Sequence, residues 1–172
     1  MRNRLVLFGG YWLHPSLPTQ ALRGDTWELA YGTLAASSAP YGAGCGAPPM
    51  RLAAIPGSRP VLGSSFTAEV TNATPFATGK SYGYSGQIYF SAGQLPIDLD
   101  WAGMPGCPLW TSADGIAACT TVGATTEFTM TAPNSTALFG IAVHLQAFSH
   151  RPGLNSQQMG VSNGLQVLAG NQ

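Results

Sequence analysis

Three histidines, His14, His144 and His150, are the side chains best suited to move protons near neutral pH, and a serine-rich chain supplies hydroxyls that such a base could activate. The arrangement needed is absent. Gly83-Tyr84-Ser85-Gly86 lacks the G-x-S-x-G spacing that would raise a serine on a strand-to-helix elbow. No enzyme is expected. For metal ligation, His144 and His150 are six residues apart, so they share a face only if one strand runs unbroken through Ser149, and a third ligand would have to come from elsewhere. Asp98 and Asp100 alternate within Pro96-Ile97-Asp98-Leu99-Asp100-Trp101, which as a strand would point both carboxylates to one side about 7 Å apart. That gap suits a single ion poorly, calcium prefers several loop oxygens, and the pair is a weak basis for glycoside hydrolysis. A solvated strand face is the expectation. Asp98, Asp100, His144 and His150 are therefore the metal candidates, and no metal or other cofactor is expected.

Aromatic residues cluster at Tyr82, Tyr84, Tyr89 and Phe90, followed by Trp101 and Trp110. Tyr82 and Tyr84 flank Gly83, so on a strand their rings share a face. Exposed Tyr and Trp rings offer a flat apolar surface with a polar edge, the chemistry that stacks on sugar faces. Tyr82, Tyr84, Trp101 and Trp110 are thus the candidate ligand-binding residues, with core packing as the competing role. Asn72-Ala73-Thr74 and Asn134-Ser135-Thr136 are glycosylation acceptors in any host with that machinery.

The elements that must carry these residues are constrained by composition. The 172 residues include seven cationic and seven acidic side chains, 8% charged in all, against about a quarter in ordinary domains. With 45% apolar residues the chain has the material for a packed core rather than for disorder. Zero net charge and the lack of a Lys/Arg run exclude the positive stripe that nucleic acid requires. A near-neutral surface also leaves self-association unopposed. No stretch approaches the ~20 apolar residues of a membrane span. Met1-Arg2-Asn3-Arg4 before Leu5-Val6-Leu7-Phe8 has the order of a signal peptide, but Gly9-Gly10 cuts the apolar run short, so a strand is expected there.

Twenty-two glycines and 13 prolines punctuate the chain roughly every 8–12 residues, which suits short strands and leaves no room for long helices. Strands are expected over 51–55, 65–70, 81–83, 87–91, 97–99, 109–111, 125–131, 137–148 and 164–168. In the span 125–131 the period is visible: Phe128 and Met130 fall on one face, and Glu127, Thr129 and Thr131 on the other. The run from Leu138 to Phe148 is apolar on both faces until His144, the pattern of a central core strand. The fold class expected is all-β, a jelly-roll-like β-sandwich of about eight to nine strands.

Cys45, Cys107 and Cys119 are too widely spaced for a zinc ribbon. One disulfide with a leftover thiol is the simplest arithmetic, as Cys107 with Cys119 or Cys45 with Cys107, and reduced buried cysteines are the alternative.

The first thirty residues read as two strands, Leu5-Val6-Leu7-Phe8-Gly9-Gly10 and Asp25-Thr26-Trp27-Glu28-Leu29, joined by a long turn. This pair resembles part of a kelch repeat, the blade unit of a β-propeller, although a propeller needs several complete blades and no second copy follows. From Leu34 to Pro49 the composition turns to Ala, Ser, Gly and Pro, as in a linker, so a boundary is expected near Ala39: 1–38 a kelch-like strand pair with its linker, 39–172 the sandwich.

Beyond that boundary the motifs Tyr41-Gly42-Ala43-Gly44-Cys45, Pro60-Val61-Leu62-Gly63-Ser64-Ser65-Phe66, Leu95-Pro96-Ile97-Asp98-Leu99, Gly103-Met104-Pro105-Gly106-Cys107, Gln146-Ala147 and Val161-Ser162-Asn163-Gly164 stand out. Together they resemble a family of domains at the carboxyl end of large secreted proteins of planctomycetes and myxobacteria. The resemblance spans nearly all of residues 40–170, and Met104-Pro105-Gly106-Cys107 is its most specific part. It implies a secreted or cell-surface setting and pairing of Cys45 with Cys107, leaves Cys119 outside the pattern, and carries no mechanism. The functional expectation is a non-catalytic extracellular module for binding, attachment or assembly. The alternatives are a carbohydrate-binding module, or a fibre subunit whose amino-terminal strand completes a neighbouring sheet. Polysaccharide, other surface proteins or further copies of the chain are the partners these readings imply.

Overall fold

The computed structural model describes residues 4–12, 21–30, 33–73, 87–91, 94–112, 114–118, 120–122 and 125–172. They form two compact units, Met1–Thr33 and Leu34–Gln172. The first is an antiparallel ribbon of β1 (Arg4–Trp12) and β2 (Ala21–Ala30), with an irregularity in register between Phe8 and Gly10.

The second unit contains β3 (Ser37–Tyr41), β4 (Arg51–Ala54), β5 (Ser65–Thr71), β6 (Gln87–Ser91), β7 (Gln94–Asp98), β8 (Pro108–Thr111), β9 (Gly115–Ala118), β10 (Thr120–Val122), β11 (Thr125–Thr131), β12 (Ala142–His150) and β13 (Met159–Leu168). The boundary expected at Ala39 falls inside β3. This Ala/Ser/Pro stretch is an edge strand rather than a linker, antiparallel to β13 from Tyr41 opposite Gly164 to Ser37 opposite Leu168. Pro40 suits such an edge, because a residue without an N–H interrupts further pairing.

The fold is an all-β sandwich. One sheet has four strands in the order β10-β11-β5-β4, the other five in the order β3-β13-β12-β6-β9, and β7 and β8 make a separate two-stranded ribbon. From β4 onward the two main sheets follow the A-B-E-D and G-F-C-C′ order of immunoglobulin-type Greek keys, with β3 added beside the last strand. The ribbon is an insertion between β6 and β9.

Alternation decides what lies between the sheets. Leu52, Phe66, Ala68, Val70 and Phe128 from the four-stranded sheet meet Leu145, Ala147, Leu165 and Val167 from the five-stranded one, all buried in one cluster. On the outer side of the smaller sheet, Thr129 and Thr131 are exposed and lie within hydroxyl contact of Thr67 and Ser65, at 3.1 and 3.4 Å. The long strand expected over 137–148 begins only at Ala142. A 3₁₀ turn takes Thr136–Leu138, and Gly140 at φ 76° redirects the chain into the strand.

On β13 a simple period of two fails. Gln146 pairs with Gly164 and Phe148 with Val161, so Ala147 alone faces both Ser162 and Asn163. This bulge turns Val161 to the opposite side from Leu165 and Val167. The Ser162 hydroxyl accepts from the Ala147 N–H at 2.9 Å and donates to the Asn163 carbonyl at 2.7 Å, filling the break in the ladder. Asn163 then reaches the other sheet. Its Oδ1 accepts from the Leu52 N–H at 2.8 Å and its Nδ2 donates to the Leu52 carbonyl at 3.1 Å.

Val161 packs in a second cluster with Cys45, Leu99, Met104 and Cys107 on the outer side of the five-stranded sheet. Cys45 and Cys107 form a disulfide across 62 residues of sequence. A link of that span constrains the unfolded chain by about 4 kcal/mol in the loop-entropy model. Among the described residues no helix is long and apolar enough to cross a membrane. Replacing Cys107 with Ser is expected to lower unfolding free energy in urea by about 2–5 kcal/mol; a loss below about 1 kcal/mol would show that the disulfide does not hold this layer.

Candidate functional site

The segment between β7 and β8 is tied at every turn. Leu99 donates its N–H to the Cys107 carbonyl at 3.1 Å, Met104 to Leu99 at 3.1 Å, and Cys107 to Met104 at 3.2 Å. Asp100 starts a 3₁₀ turn, Asp100–Ala102, which Gly103 closes at φ 77°. The Asp100 carboxylate accepts from the Gly106 N–H at 2.9 Å, and the Ser156 hydroxyl donates to the Gly103 carbonyl at 2.9 Å. With the disulfide below and these bonds around it, the segment holds Trp101 outward at 80% exposure. Ile97, 43% exposed, is another large apolar side chain on the same ribbon. A Trp this bare contributes little to packing, since apolar side chains stabilise a fold by leaving water.

This geometry corrects the carboxylate pair. β7 ends at Asp98, and Asp100 belongs to the turn with its oxygen committed to a backbone amide, so the two residues do not alternate along one strand.

The half-buried Trp110, on β8, plays a different part. Its indole Nε1 donates to the Ala43 carbonyl at 3.0 Å, its backbone N–H to Gln146 Oε1 at 2.8 Å, and its ring meets Tyr41 edge-on at 5.7 Å. A Cβ on Gly42 would run into this indole, and one on Gly164 into the Tyr41 ring, so glycine at both sites lets the aromatic rings lie against the backbone. Gln146 is fully buried and donates to the Pro108 and Ser162 carbonyls, both at 2.8 Å. Trp110 thus joins the ribbon to the sheet through a network of bonds and ring contacts.

His144 belongs to that network. Its Nδ1 lies 2.9 Å from the Tyr41 hydroxyl, the rings meet edge-on, and the Tyr41 hydroxyl also donates to the Trp110 carbonyl at 3.3 Å. Burial pushes the Tyr41 phenol up to about 12 and lowers the His144 imidazole below its usual value. Both are neutral at physiological pH, which suits a load of neutral hydrogen bonds rather than an ion pair. β12 does run unbroken through Ser149, yet His150 then lies about 20 Å along it from His144, with its Nε2 3.2 Å from Gln158 Oε1. Among the described residues no three His, Cys, Asp or Glu side chains gather where they could hold a metal. Tyr82, Tyr84 and Cys119 lie outside the described residues.

A feature with no sequence motif is a groove of about 520 Å³ between the 42–49 segment and β4, with Arg51 at its wall. Lone arginines on short strands give no spacing signal, and only the closeness of the 42–49 segment makes this one part of a concavity.

Comparison with known proteins finds no family model, no curated protein and no solved structure that matches the chain.

The lowered imidazole value has a definite sign. As pH falls, the unfolded chain takes its proton first, near 6.5, while the native state resists, so His144 removes stability progressively below that pH. The urea midpoint of the native protein is expected to drop between pH 7.5 and pH 5 by more than that of His144→Gln; equal drops would show that the buried imidazole has no part in acid sensitivity.

Proposed function

We propose that the chain is a non-catalytic extracellular module for binding, attachment or assembly, and that its contact surface is the ribbon carrying Trp101. The observation that carries this reading is the 80% exposed indole on a turn held by several backbone hydrogen bonds and pinned by Cys45–Cys107. Holding a large ring in water on a rigid support is what a ligand platform needs, because little side-chain or backbone freedom is then lost on binding. A disulfide fits an oxidising compartment. Low net charge and few charged side chains favour uncharged surfaces as partners over nucleic acid.

Polysaccharide is the ligand class that this ring suits best, since an exposed indole stacks on the apolar face of a sugar. Trp110, expected beside it in that role, has its indole N–H committed to Ala43 and serves to fasten the ribbon. The reading therefore rests on Trp101 with Ile97 nearby, rather than on a row of rings.

Sedimentation with insoluble cellulose, chitin and xylan, together with a glycan array, tests the proposal. The native protein is expected to be retained on at least one polysaccharide, and Trp101→Ala to weaken retention by about tenfold, as losing one good stacking contact predicts. Silence of the native protein across the panel, or unchanged retention of the variant, would remove the carbohydrate reading.

A further inference from the structure

The groove beside β4 is built from different residues and has a different chemistry. Its walls are Pro40, Ala43, Pro49, Leu52 and Ala53, and Arg51 is the one charged side chain among its lining. Arg51 is exposed, and among the described residues no hydrogen bond or ion pair engages its guanidinium. Thr71 stands directly across from it in the β4–β5 ladder and also lines the groove, placing a hydroxyl beside the cation. Glu69, opposite Ala53, is not part of the lining.

Two observations restrict the occupant. β4 is the last strand of its sheet, the place where an extended chain could add by backbone pairing, but the Asn163 amide already takes both the N–H and the carbonyl of Leu52. A ligand must therefore be held by charge and apolar contact instead. The lining also has no aromatic ring and few donors, which fits a uronic acid poorly. A volume of about 520 Å³ lies within the range of small-ligand sites, about 300–1,000 Å³.

We propose that this groove captures the free carboxylate end of an extended peptide with small apolar side chains, the carboxylate pairing with Arg51 and the side chains lying against Ala53 and the two prolines. Guanidinium and carboxylate make strong charge-assisted bonds, and the rigid proline walls offer apolar contact without loss of side-chain freedom.

The experiment is a titration of the full chain, followed by amide chemical shifts, with N-acetyl-Ala-Val-Ala-Val as the free acid and as the amide. The free acid is expected to shift the amides of Gly42, Gly44 and Leu52, and the peptide amide to bind at least about tenfold more weakly, the loss of one charge-assisted bond. Arg51→Met should abolish the preference, and Ala53→Trp, which fills the groove from an exposed position, should abolish binding altogether. Trp101→Ala should bind the peptide as the native protein does, which separates this site from the polysaccharide platform. Equal binding of acid and amide, a free acid that binds Arg51→Met unchanged, no shifts at millimolar peptide, or binding of tetragalacturonate in its place would overturn the proposal.

Discussion

The rest of the structure depends on one irregularity, the two-residue bulge at Ser162 and Asn163 in β13. A regular strand would send Val161 to the same side as Leu165 and Val167, and the five-stranded sheet could then serve only one apolar layer at this point. The bulge instead gives Val161 to the disulfide cluster and the other two to the sandwich core. Its polar side chains make the break tolerable. Ser162 replaces a missing ladder partner for Ala147, and Asn163 bridges to Leu52 in the opposite sheet. Left unpaired, those buried backbone groups would each cost about 1–3 kcal/mol, enough to make an apolar residue at either position a poor fit.

From this joint the two candidate surfaces follow. On one side the outer face of the five-stranded sheet accepts the β7–β8 ribbon, fixed by Val161, the Cys45–Cys107 bond and the hydrogen bonds of Gln146, and the ribbon presents Trp101. On the other, closure of the β4 edge by Asn163 turns a strand that could recruit another chain into the wall of a groove. The partly buried network of Tyr41, Trp110, His144 and Gln146 carries no net charge at neutral pH. Neutral partners suit such a site, since an ion taken out of water there would demand a counter-charge.

What was legible in the sequence is what alternation and punctuation encode. β11 shows its period directly, and Phe128 and Met130 lie on the core side together. The pairing of Cys45 with Cys107 came from a resemblance, and a disulfide joins them. Three kinds of feature were hidden. β3 is rich in Ser, Ala and Pro because it is an exposed edge, so it looks like a linker; β9 and β10 are too short to show a period. Asp100 sits in an apparent D-x-D strand, but the glycines at 103 and 106 make a turn that uses its carboxylate. The groove at Arg51 forms where the 42–49 segment folds back beside β4, with Thr71 and Asn163 brought in from farther along the chain, an arrangement that no local pattern records.

The most direct test of the joint at Ser162 and Asn163 is native-state hydrogen exchange of the Leu52 and Ala147 amides. Both donate to side chains of the bulge, not to a neighbouring strand's carbonyl. The account predicts that they exchange only through global unfolding, with protection within about 1 kcal/mol of the slowest amides of β12 and β13. Exchange at the rate of an open sheet edge, with the rest of those strands still protected, would contradict it.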